Sequence, residues 1–226
     1  MSEIKERIAR ILERIESLRP QHDCRLMAVS KGQSWERIQA AMDAGVSLFG
    51  ENRVQECGQK WLVRPHQVEL RMIGRLQRNK VKSAIQVFSG IDTIDRETLA
   101  DTLDRQLADQ FSVMIEVNAG EENTKTGMLP AVVREFLETA ERWPRLRFDG
   151  ILAMLPEARD LSLAETKRIR RLMQETAELW RICKSEGWPW APLDELSMGM
   201  TSDFEWALEA GATIVRIGQG IFGPRQ

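Results

Sequence analysis

Hydrophobic and polar residues follow two different periods along the chain. Short runs of consecutive apolar residues, typical of strands buried on both faces, alternate with segments whose apolar residues recur every three or four positions, as in amphipathic helices. The chain begins with such a helical stripe, from Ile4 to Leu18, and the first strand run, 26–31, follows it. Further strands are predicted at 46–49, 70–75, within 87–94, and at 112–118, 147–154, 196–198 and 213–217.

This alternation predicts the fold class. Strands separated by helices require parallel crossover connections, which are typical of α/β proteins. Eight strand–helix units in 226 residues favour a single (β/α)8 TIM barrel spanning 1–226, with an extra N-terminal helix and no second domain. A doubly wound open sheet is the alternative fold.

Composition narrows the class of protein. Hydrophobic residues make up 42% of the chain, enough for one full-sized core, and the net charge of −2 gives no electrostatic reason to expect nucleic acid or a membrane surface as partner. The cysteines, Cys24, Cys57 and Cys183, lack metal-ligand spacing and suit a reduced, cytoplasmic protein. No apolar run approaches membrane-spanning length. Because no apolar surface stripe is left over, we expect a monomer.

A lysine stands where the first strand ends. In a barrel, the residues just past each strand face one common mouth, and Lys31 follows the apolar run 26–29 directly after Ser30. Desolvation there favours loss of the ammonium proton, and a neutral amine can attack a carbonyl to form a Schiff base. The alternative is that Lys31 extends into solvent from the strand end.

The last two strand ends have the features of a phosphate site. The segment 197–202 offers hydroxyls and a glycine, and the spacing of Ser202 and Glu205 predicts a capping box, which would leave backbone N–H groups available at a helix start. Gly218 and Gly220 let the backbone approach the same anion. The alternative is an ordinary capped helix and a tight turn. The segment 218–223 also matches the dinucleotide pattern G-x-G-x-x-G, but we expect no crossover helix and no acidic ribose ligand after it, and reject that function.

A Schiff-base lysine facing a phosphate site suits pyridoxal 5′-phosphate (PLP), which carries an aldehyde and a phosphate on one ring. Arg216 would then donate a hydrogen bond to the pyridine nitrogen without giving up its proton, which weakens the cofactor as an electron sink. Asn52 would reach the phenolic oxygen. The alternative role for Arg216 is a buried salt bridge to Glu51.

Several separated motifs, in order from about Leu26 to Gly223, closely resemble the pyridoxal-phosphate homeostasis protein family. They are Ala28-Val29-Ser30-Lys31, Phe49-Gly50-Glu51-Asn52, Ile73-Gly74-Arg75-Leu76-Gln77-Arg78-Asn79-Lys80, Ser197-Met198-Gly199-Met200 and Val215-Arg216-Ile217-Gly218. The chain departs from the family pattern at Gly32, where proline is common, and at Arg75, where histidine is frequent.

The resemblance implies the barrel of the alanine racemase-like (fold type III) PLP enzymes without their second domain. It also implies a carrier or reservoir in vitamin B6 and amino-acid homeostasis, without established catalysis, whose recipients would be PLP-dependent apo-enzymes. Lys31 would hold the cofactor as a Schiff base and Arg216 would meet the ring nitrogen. Ser197, Thr201, Gly218 and Gln219 would hold the phosphate, and Met200 would also bind the cofactor.

Two enzymatic alternatives remain. The resemblance to two-base racemases of this fold would imply a lysine paired with a tyrosine of a second domain. This chain has no tyrosine. A different second base would have to be His22, His66 or a cysteine, none of which directly follows a predicted strand. The other alternative is a barrel acting on a phosphorylated sugar, with Lys31 as Schiff-base lysine and Glu51 as general acid or base.

Overall fold

A closed parallel barrel forms the centre of the protein. The computed structural model describes residues 3–18, 24–62, 64–158 and 161–224. Within them, eight strands follow one another around the barrel in chain order, and β8 pairs with β1 to close it. The strands are β1 (Arg25–Val29), β2 (Leu48–Glu51), β3 (Glu69–Met72), β4 (Gly90–Ile94), β5 (Phe111–Asn118), β6 (Leu146–Met154), β7 (Glu195–Ser197) and β8 (Ile214–Ile217). This topology confirms the predicted TIM barrel; the boundaries 1–226 of a single domain stay a prediction.

Helices cover the outside of the barrel. They are α1 (Glu3–Leu18), α2 (Trp35–Asp43), α3 (Val54–Lys60), α4 (Val81–Val87), α5 (Glu97–Gln106), α6 (Pro130–Glu138), α7 (Leu163–Ser185), α8 (Phe204–Ala210) and α9 (Gln219–Phe222), with short 3-10 helices at Arg78–Lys80 and Ala140–Arg142. The extra helix α1 packs on α2, α8 and α9, which confirms that prediction. None of the helices described is both long and apolar enough to span a membrane.

The apolar periodicity explains where each element packs. Helix α1 buries its stripe of isoleucines, Ile4, Ile8, Ile11 and Ile15, against its neighbours. The main core lies between barrel and helices, and a smaller cluster of Met27, Leu48, Met114 and Ile214 packs together with Ile73. This small cluster requires Gly50 in β2, because a Cβ there would lie 2.7 Å from Ile73 Cδ1 and 2.8 Å from Met27 Sδ.

Charged residues occupy the barrel at the N-terminal ends of its strands. Arg71 is 3% exposed and forms an ion pair with the fully buried Asp92, Nη2 to Oδ1 2.6 Å. Arg25, the first residue of β1, pairs with Glu69 and Glu195, the first residues of β3 and β7. Because the C-terminal strand ends carry the chemistry of TIM barrels, we assign this opposite end to stability.

One local prediction is wrong. Ser202 and Glu205 do not form a capping box: the N-cap of α8 is Asp203, whose Oδ1 accepts a hydrogen bond from the Met200 N–H at 2.6 Å. The Glu205 carboxylate instead pairs with Arg14 of α1, at 2.6 Å. The structure has a capping box at the start of α7, between Ser162 and Glu165. The tertiary contact with α1 therefore decides the conformation of Glu205.

Candidate functional site

A cavity of about 560 Å³ lies at the C-terminal ends of β1, β7 and β8. It brings together six of the eight residues predicted to bind a cofactor: Lys31, Met200, Thr201, Arg216, Gly218 and Gln219. Val29, Ser202 and Glu157 complete the lining. Because four segments far apart in the chain converge here, the cavity depends on closure of the barrel.

The backbone on both sides of Lys31 is held by side chains from β2 and α3. Ser30 Oγ donates to Glu51 Oε1 at 2.7 Å, and the Ser30 carbonyl accepts from Lys60 Nζ at 2.9 Å. On the other side, the N–H of Gly32, a residue with φ of +69°, donates to a carboxylate of α3 at 2.8 Å. These contacts fix the turn that places Lys31 at the cavity.

The partners of Glu51 correct two sequence-based hypotheses. Glu51 is fully buried and forms an ion pair with Lys60, Oε1 to Nζ 2.8 Å, while Trp61 Nε1 also donates to Oε1 at 3.3 Å. It does not pair with Arg216, so the salt bridge considered above is wrong. Glu51 does not line the Lys31 cavity either, and its role is to hold the Ser30 turn rather than to act as general acid or base.

Arg216 projects from β8 into the base of the cavity. Its side chain is held by Nη1, which donates to the carbonyl and the hydroxyl of Ser197 at 2.7 and 2.9 Å, and by Nη2, which donates to the Ala153 carbonyl at 2.9 Å. Burial lowers the pKa of the guanidinium, against the opposing effect of Asp92, Asp203 and Glu116. A guanidinium nevertheless keeps its proton in a protein and acts as a donor only.

Ser197 occupies a different place from the one predicted. Its side chain is fully buried and its Oγ accepts from Arg216, so it orients the guanidinium from below the cavity instead of lining the phosphate position. The prediction of Ser197 as a phosphate ligand did not include this contact, because β7 and β8 become neighbours only in the folded barrel.

The Thr201–Gly218 corner, where the phosphate is predicted to lie, is formed by two turns that are hydrogen-bonded to each other. The N–H of Gly220 donates to Thr201 Oγ1 at 3.1 Å and joins the turn after β7 to the turn after β8. Among the described residues, the N–H groups of Thr201 and Ser202 donate to no backbone carbonyl. Both residues are exposed at the cavity. The corner can therefore offer backbone N–H groups and a hydroxyl to an anion.

Below this corner lies a buried carboxylate. Asp203 is 2% exposed, and its hydrogen bond from the Met200 N–H fixes the start of the turn. Burial raises the pKa of Asp203, and that hydrogen bond works in the opposite direction.

Asn52 is not among the residues that line this cavity. It follows β2 and lines a separate cavity next to the end of β3. Gly74 packs so closely there that a Cβ would lie 2.4 Å from the Asn52 carbonyl oxygen. The structure therefore places Asn52 in the wall of one cavity with Arg75, and its contact with the cofactor stays a prediction.

The structure bears on three of the candidate second bases, His66, Cys57 and Cys183. His66 is exposed and precedes β3, at the opposite end of the barrel, and His22 lies outside the described residues. Burial raises the pKa of Cys57 to about 12, and burial also raises the pKa of Cys183. Both thiols therefore stay protonated at neutral pH and are poor bases.

The sequence analysis identified neither Glu157 nor the contact between Glu116 of β5 and the loop that follows β5. Glu157 lies three residues beyond β6 in an irregular segment, where no pattern distinguished it. Glu116, 2% exposed in β5, accepts a hydrogen bond from Thr126 of the following loop, and burial raises its pKa. The segment 119–126 forms a loop, and its polar, glycine-containing composition does not by itself predict this contact.

The chain resembles known proteins over its whole length. Residues 3–226 match the family model of the alanine racemase N-terminal domain. The pyridoxal phosphate homeostasis protein of Aquifex aeolicus is 34% identical over 232 residues, covering 98% of each chain.

Solved structures agree with that relationship. PipY of Synechococcus elongatus, determined with PLP bound, has a TM-score of 0.80 at 31% identity, covering 98% of this chain and 100% of PipY. Alanine racemase of Corynebacterium glutamicum, at 15% identity and a TM-score of 0.72 over 97% of this chain and 62% of its own, shows the shared fold alone. The chain therefore belongs to the pyridoxal phosphate homeostasis protein family.

Proposed function

We propose that the protein binds pyridoxal 5′-phosphate in the Lys31 cavity, holds it as a Schiff base on Lys31, and acts as a carrier or reservoir in PLP homeostasis. The observation that carries this proposal is the convergence of Lys31, buried Arg216 and the Thr201–Gly218 corner around one cavity of about 560 Å³. That volume lies within the usual range for small-molecule sites, roughly 300–1,000 Å³.

The residues present fit the cofactor chemically. When bound, PLP supplies an aldehyde for a lysine amine, a ring nitrogen that accepts a hydrogen bond, and a phosphate dianion. Lys31 offers the amine, and the Thr201–Ser202 turn with Gly218 and Gln219 offers donors to the phosphate. Arg216 is preorganised by its three hydrogen bonds and presents only donors to the ring nitrogen.

The surroundings support a carrier more than an enzyme. Because Arg216 keeps its proton, the ring nitrogen stays unprotonated and the cofactor is a weaker electron sink. The chain has no tyrosine, and Cys57 is buried with a pKa raised to about 12. Thr201 and Gln219 are exposed at the cavity, which leaves a path for loading and release.

The proposal extends to the setting of the protein. We propose that it acts in the cytoplasm as a monomer, with PLP-dependent apo-enzymes as recipients. The net charge of −2 supports this proposal over a nucleic-acid or membrane-surface role. Gel filtration with light scattering tests the oligomeric state, and transfer from loaded protein to an apo-transaminase tests the recipient class.

A PLP titration tests the site. We expect a Schiff-base absorbance band with the wild-type protein that borohydride bleaches, and no band with Lys31→Ala. Lys82→Ala is the matched control, because Lys82 is exposed on α4, outside the Lys31 cavity. A band that persists in Lys31→Ala, or borohydride labelling of another lysine, would contradict the proposal.

The same loaded protein tests the enzymatic alternatives. Amino-acid racemisation faster than with free PLP would favour a racemase-type enzyme. Protein that stays colourless with added PLP but turns over a phosphorylated sugar would favour the alternative of a barrel enzyme acting on such a sugar.

A further inference from the structure

A second cavity opens on the same end of the barrel as the Lys31 cavity but shares none of its lining residues. It measures about 630 Å³ and lies between the ends of β2 and β3 and the start of α3. Its polar lining includes Asn52, Arg53, Glu56, Arg75 and Lys80. The proposed cofactor function leaves this cavity, and the segment 73–80 that forms one wall of it, without a role.

Cations dominate the cavity wall. Arg53, Arg75 and Lys80 face a single carboxylate, Glu56, which already accepts hydrogen bonds from the Gly32 N–H and from Lys60. Within the described ranges, none of the three cations forms a salt bridge. By contrast, twelve arginines elsewhere in those ranges pair with a carboxylate. Three unpaired cations around one concave surface favour an anion.

The cations stand on a rigid base. Gly74 packs against the backbone of Asn52, where a Cβ would lie 2.4 Å from the carbonyl oxygen, and the Gly74 carbonyl accepts from Thr93 Oγ1 at 2.9 Å. Arg75 follows directly, so its backbone is held at a strand end. Leu76, which is 1% exposed, forms part of an apolar floor. Such a base reduces the entropy cost of ordering a ligand.

An unsatisfied polar atom marks the kind of ligand. Asn52 Oδ1 is buried and has no hydrogen-bond partner in the described part of the chain, although a buried acceptor normally has one. Gln55, Gln59 and Gln77 add amide groups to the lining. The cations call for a dianion, and Asn52 Oδ1 calls for a hydroxyl donor on the same molecule.

From these contacts we infer that the cavity is a binding site for a small hydroxylated phosphate monoester, separate from the cofactor site. The phosphate lies among Arg53, Arg75 and Lys80, with Arg75 able to form a two-pronged contact, and a ligand hydroxyl donates to Asn52 Oδ1. The apolar floor at Leu76 receives the carbon skeleton.

Glycerol 3-phosphate is the probe, titrated calorimetrically into the wild-type protein before and after Lys31 has been loaded with PLP, reduced with borohydride and freed of excess PLP. We expect Arg75→Gln and Lys80→Gln each to weaken binding by about tenfold, since a hydrogen bond to a charged group is lost. Arg78→Gln is the matched control: it removes a charge from the same segment, but Arg78 lies outside the cavity and donates to Thr102. We expect the affinity of this control variant, and the affinity of the wild-type protein that carries reduced PLP on Lys31, to stay unchanged.

Other probes and variants make the inference refutable. Asn52→Ala should weaken glycerol 3-phosphate but not inorganic phosphate. Loss of binding once reduced PLP occupies Lys31 would assign the anion to the Thr201–Gly218 corner and overturn the second site, and so would equal losses in Arg75→Gln and Arg78→Gln, or no binding. Tighter binding of succinate than of glycerol 3-phosphate would overturn the phosphate assignment. Circular dichroism checks that each variant folds. Because Lys80 lies in the 3-10 helix Arg78–Lys80, farther along the chain from β3 than Arg75, Lys80→Gln carries the test if Arg75→Gln unfolds.

Discussion

Replacing Lys60 with methionine should destabilise the fold beneath the candidate cofactor lysine. Lys60 Nζ contacts Glu51 Oε1 at 2.8 Å, the Ser30 carbonyl at 2.9 Å and Glu56 Oε1 at 3.2 Å. The side chain of Glu51 is 0% exposed and that of Lys60 10% exposed. Lys60→Met therefore leaves a carboxylate in the interior with hydrogen bonds from Ser30 and Trp61 but no counter-charge.

The size of the effect follows from this burial. Removing one partner of a buried ion pair costs about 3–5 kcal/mol, because the remaining charge is uncompensated. Since Lys60 keeps a small contact with solvent, we expect a loss near the lower end, about 3 kcal/mol of the free energy of unfolding. Adding Glu51→Gln removes the stranded charge and should recover part of this loss.

Urea denaturation without added PLP measures the effect on the single variants and on the double variant. Lys82→Met on α4 is the control and should change the free energy of unfolding by less than about 0.5 kcal/mol, because it is a surface substitution. A loss below about 1 kcal/mol in Lys60→Met, or strictly additive single effects in the double variant, would refute a coupled buried pair.

Three further predictions concern packing and protonation. Gly50→Ala should lower the free energy of unfolding by about 1–3 kcal/mol, because its Cβ would lie 2.7 Å from Ile73 Cδ1. Gly58→Ala in α3, where the nearest atom would be 3.9 Å from the new Cβ, should raise the free energy of unfolding by about 0.4–1 kcal/mol. Thermal or urea melts should show these opposite signs. Burial raises the pKa of Glu116, so the stability that its neutral form contributes is present below the pKa of the unfolded chain and is lost as pH rises through the pKa of the folded protein. Glu116→Gln does not titrate and should therefore become more stable relative to wild type as pH rises from about 4 to about 8. An equal difference in the free energy of unfolding at both pH values in urea melts would contradict this. The Cys57 thiol, with its pKa raised by burial to about 12, should resist iodoacetamide in the native protein and react in urea, as mass spectrometry of the peptides would show; fast native alkylation would disprove its burial.

Local periodicity was enough to predict the secondary structure and the fold. The stripe of α1 and the apolar run before Lys31 each specify an element through the spacing of residues that must be buried. Pro130 occupies the first turn of α6, where a missing backbone N–H is tolerated. Regular alternation of strands and helices then leaves few topologies, and the barrel is one of them. The position of Lys31 at the mouth follows directly from this level of description.

Contacts between side chains that are distant in sequence were decided by the tertiary structure. Ser197 orients Arg216 because β7 and β8 pair in the closed barrel, and Glu51 pairs with Lys60 because α3 returns alongside β2. Asn52 and Arg75 share a cavity because Gly74 has no side chain to keep their strand ends apart. A residue's type and its neighbours in the chain determine what it can do chemically. The register of the barrel determines which partner lies within hydrogen-bonding distance, and no local pattern contains that information.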